Sequence, residues 1–129
     1  MLDLDEPGLV ISRYDELRVR GSPAKVIQMY VEGTKPVLFL GEERHFKALE
    51  NILQMLDLDY EMMDLPERMR GPSLTGKDYK VVGMGHAQME GNRILIKKNS
   101  CSSDYGIMVH GKHLEEVRHY LDEFELEVV

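Results

Sequence analysis

Residues 36–65 carry the clearest alternation of apolar and polar positions in the chain. Val37, Leu38, Phe39 and Leu40 follow one another without a polar interruption, as in a strand covered on both faces, a pattern commonest in buried parallel strands. After Gly41, the residues Phe46, Leu49, Leu53 and Leu56 recur at spacings of three and four, with Ile52 widening the stripe. Glu43, Lys47, Glu50 and Gln54 fill the opposite face, so the period is that of an amphipathic helix. A second extended segment then runs to Asp64 and Leu65. Strand, helix and strand in this order predict a right-handed crossover.

Upstream, residues 1–8 form an acidic lead ending at Pro7 and Gly8, and Leu9, Val10 and Ile11 could make an edge strand. Residues 17–20 alternate apolar with basic, which suits a half-exposed strand. Ser22 followed by Pro23 is a helix start signal, with the serine as N-cap and the proline in the first turn. Val26, Ile27, Tyr30 and Val31 supply a stripe for that helix and Gly33 its stop. Residues 17–65 therefore read as a parallel βαβαβ unit, the layout of half a doubly wound, Rossmann-like sheet.

The second half changes period. Residues 66–78 hold two prolines and two glycines and read as a long loop. Residues 79–88 and 93–97 flank a Gly91-Asn92 pair and predict a β-hairpin. Gly83 and Gly85 lie on one face of its first strand, where a close neighbour can fit. A polar loop at 98–104, a strand at 105–109 and an exit at His110-Gly111 lead into a helix with Leu114, Val117, Leu121 and Phe124 inside. Residues 125–129 close as an alternating strand, giving a C-terminal β-α-β unit. The two helices echo each other, His45-Phe46 with Leu49, Ile52 and Leu53 against His113-Leu114 with Val117, Tyr120 and Leu121, which reads as shared geometry. The expected fold is a single α/β domain over residues 1–129 with a mixed sheet. Val128 and Val129 should pair inside that sheet or across a homodimer interface.

Composition narrows the function. With 129 residues and 43% apolar content the chain has material for one core, and a net charge of −7 argues against nucleic-acid binding. Its apolar runs are too short to span a bilayer and its first residues are acidic, so no membrane partner and a cytoplasmic location are expected. The single Cys101 forms no internal disulfide.

Candidate chemistry falls in three places. If the first half is parallel, ligands belong beyond the C-terminal ends of its strands, which collects Arg20, Gly21, Ser22 and Gly41 with Arg68, Arg70 and Lys77 of the 66–78 loop. The first helix N-terminus beside Arg20 would then seat an anion. The second would not, because Glu42 and Glu43 repel phosphate. Neither a Gly-x-Gly-x-x-Gly nor a Walker motif is present, which argues against a dinucleotide or P-loop site and leaves the cofactor unknown. Cys101 with His86 or His110 as base is the catalytic alternative. His110 and His113, with His86 near them, raise the question of zinc. A strand end facing a helix start is poor geometry for it, so no metal site is assigned. The methionines read as core filler. The residues point to a cytoplasmic binding or regulatory module for a small anionic ligand or a protein partner.

Overall fold

The structure, a computed structural model, describes residues 8–11, 23–31, 36–121 and 124–129. In chain order it contains β1 (Gly8–Ile11), β2 (Pro23–Val31), β3 (Pro36–Gly41), α1 (His45–Met55), β4 (Met62–Asp64), β5 (Arg70–Pro72), β6 (Tyr79–Glu90), β7 (Arg93–Ile96), α2 (Gly111–Arg118) and β8 (Glu125–Val128). Six strands form one sheet in the order β1-β3-β2-β6-β7-β8, and β4 pairs with β5 in a separate two-stranded ribbon. Three of the sheet's pairings are antiparallel; β1 with β3 and β7 with β8 are parallel.

This overturns the parallel βαβαβ expectation, and two elements account for it. The segment expected as the first helix is strand β2, paired on both sides with antiparallel neighbours. Its residues 26 to 29 are buried without a break. Val26 belongs to one core, Ile27, Met29 and Val31 to the other. A strand buried on both faces shows an unbroken apolar run, and such a run fits a helical stripe equally well. The β-branched and aromatic content of Val26, Ile27, Tyr30 and Val31 tips the balance to the strand. Second, β4 does not return to the sheet beside β3. It turns back on β5 through Met62↔Pro72, Met63↔Gly71 and Asp64↔Arg70. The sheet is therefore not a Rossmann-like one, and the C-terminal ends of β2 and β3 lie at opposite ends of it. The strand expected at 17–20 lies outside the described residues.

The remaining expectations divide. Helix α1 forms where its spacing predicts, and the hairpin of β6 and β7 turns at Gly91, whose φ of 62° suits the first central position of a type II′ turn. β1 takes the sheet edge and β8 closes beside β7. The strand expected at 105–109 is absent, reduced to an isolated bridge between Cys101 and Met108. The parallel partner of β8 is β7, with α2 between them in the chain. Residues 66–78 carry β5 and a turn at Pro66–Arg68.

Among the described residues, each face of the sheet carries one helix. Leu114 and Val117 of α2 pack with Val26, Leu38, Leu40, Ala87, Met89, Ile94, Ile96 and Leu126. Ala48, Leu49, Ile52 and Leu53 of α1 pack with Ile27, Met29, Val37, Phe39, Val81 and Met84 on the other face. Each such large side chain, fully buried, contributes about 1.5–3 kcal/mol. β6 serves both cores because it bulges: Gln28 pairs with Gly83 and Met29 with Val81, leaving Val82 as the extra residue. The bulge inverts the phase of the strand, so that Tyr79, Val81 and Met84 share one face despite their mixed parity.

Gly83 and Gly85 admit the incoming chain before α2. A Cβ at Gly83 would meet Gln28 Oε1 at 2.3 Å and the His110 backbone nitrogen at 2.9 Å, and one at Gly85 would meet Val109 and Ser100. We expect Gly83→Ala to lower stability by about 1–3 kcal/mol through overpacking, measured by urea unfolding. An unchanged midpoint would contradict the close approach.

Candidate functional site

The most constrained polar groups lie where each helix meets the sheet. On the α2 face, Gln28 is completely buried in the central strand. Its amide closes on the peptide of His110, with Nε2 donating to His110 O at 2.9 Å and Oε1 accepting from His110 N at 2.8 Å. Nε2 also lies 3.2 Å from His113 Nδ1. An amide nitrogen can only donate, so Nδ1 accepts and the ring proton sits on Nε2, which donates to Met29 O at 3.0 Å. His110 caps the same helix by accepting from His113 N through Nδ1 at 3.2 Å. Tyr30 stands edge-on to the His113 ring and donates to Glu116 at 2.8 Å. Burial, followed by that glutamate, pushes its phenol up to about 12.

The α1 face repeats the device. His45, 2% exposed in the first turn, donates Nε2–H to Gly85 O at 2.9 Å, with His86 edge-on at a centroid distance of 5.5 Å. α1 has no side-chain cap of its own. The buried carboxylate of Asp104 stands in from the distant 98–104 loop, accepting from Phe46 N at 3.4 Å and pairing with Arg44. A carboxylate there complements the helix dipole. Desolvation holds the His45 imidazole below its usual range, reinforced by His86 and Lys25 and opposed by the Gly85 bond and Asp104. Desolvation likewise lowers His113, with its bond to Met29 and the charge of Glu116 acting against it.

The sequence-derived site residues that are described lie on separate elements. Arg20, Gly21 and Ser22 lie outside the described residues, and the helix N-terminus they were to share is strand β2. Gly41 is buried at the end of β3. Arg68 is exposed in a turn where it and Glu67 hold left-handed φ of 62° and 61°. Arg70 pairs with Asp64 at 3.3 Å. Lys77 lines an open cleft of about 310 Å³ with Asp59, Tyr60, Glu61, Ser73, Thr75 and Gly76. A second cleft, of about 400 Å³, adjoins it across Thr75, Gly76 and Lys77 and reaches Tyr30. Beneath the turn, Tyr79 donates to Ser73 O at 2.6 Å, and only glycine fits at 76, where a Cβ would come within 2.1 Å of the Tyr79 ring.

The thiol of Cys101 is exposed, and no hydrogen bond joins it to an imidazole among the described residues. His86 rests against His45 and His110 caps α2, so both candidate bases have structural work. Gln28, His45 and Asp104 were not singled out as site residues by the sequence. The one available signal was a polar residue inside an apolar run, which Gln28 between Ile27 and Met29 displays.

The arrangement defines a three-layer α/β/α protein on a mostly antiparallel sheet, with a polar cleft at one loop. Compared with known proteins, the chain matches no family model and no curated protein. No helix among the described residues is long and apolar enough to cross a membrane.

The two buried histidines set a pH dependence. Their folded pKa values lie below 6.5, so the unfolded chain takes up more protons as the medium acidifies. Stability is complete above the unfolded value and falls as pH drops through it toward the lowered folded values. We expect the urea midpoint to decline between about pH 7 and pH 5, and His45→Gln and His113→Gln each to remove part of that slope. A midpoint that is flat over this range would contradict neutral buried imidazoles. Removing the remote cap with Asp104→Ala should weaken α1 by about 1 kcal/mol or more, read from amide exchange in the helix.

Proposed function

We propose that the chain is a cytoplasmic binding module whose ligand seat is the cleft at Thr75, Gly76 and Lys77. Its ligand is a small anionic molecule that also donates hydrogen bonds. The observation that carries this reading is the mixed lining of the cleft. Lys77 offers an ammonium to an acid group, while Asp59, Glu61 and the hydroxyls of Tyr60, Ser73 and Thr75 accept from hydroxyl or amino donors. A bare anion is disfavoured by the two carboxylates, so a hydroxy acid, an amino acid or its phosphate suits the lining better. Arg70, already paired with Asp64, and Arg68, on the neighbouring turn, attract such a ligand from a distance rather than hold it. One exposed, unpaired cysteine fits a reducing compartment.

Phosphoserine and inorganic phosphate are suitable probes in amide chemical-shift titrations of the labelled protein. Phosphoserine should shift the amides of residues 75–77 saturably and phosphate alone more weakly. Lys77→Ala should weaken the phosphoserine response on the order of tenfold, the loss of one charge-assisted hydrogen bond. Shifts scattered over the surface, or a response indifferent to Lys77→Ala, would rule the cleft out as the seat.

A further inference from the structure

The strand edges of this protein are finished in different ways. On β8, the outward Leu126 carbonyl accepts from Arg118 Nη2 at 3.1 Å, and Glu127 is tied to Arg93 at 2.7 Å. The Arg118 side chain thus caps part of that edge. Among the described residues β4 has no such cover. Ser73 N donates to Glu61 O at 2.7 Å and Leu65 N to Met69 O at 2.9 Å, so residues 61, 63 and 65 turn their peptide groups toward β5. Antiparallel alternation aims the N–H and C=O of Met62 and Asp64 the opposite way. No backbone hydrogen bond takes them to another element among the described residues.

The far side of the ribbon is occupied: Tyr105 OH donates to Pro72 O at 2.8 Å, and a Cβ at Gly71 would collide with Tyr105, Leu65 and Phe46. Of the ribbon's two edges, that of β4 is the one left for a new strand among the described residues. All three of its side chains are exposed, Met62 at 39% and Met63 at 38%. Residues 59–64 carry Asp59, Glu61 and Asp64 and no cation, and of these acids Asp64 is met by Arg70 of β5. The methionines offer adaptable apolar contact, while the acids select the charge of what lies beside them.

We propose that the β4 edge receives an extended basic segment of a partner protein by strand addition. Main-chain hydrogen bonds to Met62 and Asp64 hold it; on one face its lysines or arginines meet Asp64, and on the other its apolar residues rest on Met63. A second copy of this chain is a poor occupant, because it would set Asp59, Glu61 and Asp64 against their own counterparts.

The probe is a soluble hexapeptide alternating lysine with valine, titrated into the labelled full chain, with its glutamate-for-lysine counterpart as control. The lysine peptide should shift the amides of Met62 and Asp64 saturably, with an affinity that falls as salt is raised, and the glutamate peptide should not. Met62→Pro removes an outward N–H while leaving the pairing to β5, and Asp64→Lys reverses the charge without touching the core. Each should weaken the lysine peptide on the order of tenfold. The proposal is overturned if the two peptides bind alike, if the shifts centre on residues 75–77 or on β8, or if both variants bind as the parent does. Concentration-dependent dimerisation abolished by Met62→Pro would also overturn it, by making a second copy the occupant.

Discussion

Two neutral imidazoles, one on each face of the sheet, hold the helices in place. His45 and His113 each donate a ring N–H to a strand carbonyl, Gly85 in β6 and Met29 in β2. A sheet carbonyl has two lone pairs and the ladder uses one, so the second is free to receive a helix side chain without loss to the sheet. In a dry interior such a donor left without an acceptor costs about 1–3 kcal/mol, which makes the docking of each helix specific in register as well as in face. Apolar packing alone would tolerate sliding by a turn. The histidine bond does not.

The fold was legible where one period dominates. α1, with a polar face opposite Phe46, Leu49 and Leu53, and the hairpin marked by Gly91 and Asn92 could be read directly. β2 could not, because Val26, Ile27, Tyr30 and Val31 satisfy a helical stripe, and Ser22-Pro23 imitates a helix start. Burial on both faces erases the alternation by which a strand is ordinarily recognised. The short β4 misled for another reason: a ribbon strand folded back on β5 and a crossover strand returning to the main sheet have the same local pattern, and only tertiary pairing separates them.

The polar framework was less legible than the apolar one. The likeness between His45-Phe46 and His113-Leu114 was visible, and the structure gives it content: both histidines enter a buried interface in the first turn of a helix and bond to the sheet beneath. What the chain does not announce is the partner. Asp104 reaches Phe46 across 58 positions, and Gln28 reaches His113 across 85. Side-chain bonds of that separation leave no periodic trace. The glycines at 83 and 85, by contrast, signalled a close neighbour through their spacing, and the approach of His110 and Val109 bears this out. Lys77, chosen as one cation of a basic loop, instead shares its cleft with acids from a segment read as strand.

The clasp between Gln28 and His110 joins residues 82 apart, at the strand that also pairs with β3 and β6. Closing so long a loop is an entropic step that comes before most of the contacts that reward it. The β6–β7 hairpin needs only a two-residue turn and can form early. The β2–β6 junction and everything seated on it wait for a chance encounter between distant parts of the chain. We therefore expect this protein among the slower folders of its size. While β2 is unpaired, its apolar face is open to the wrong neighbour, which makes crowding during refolding a greater hazard than the stability of the finished fold suggests.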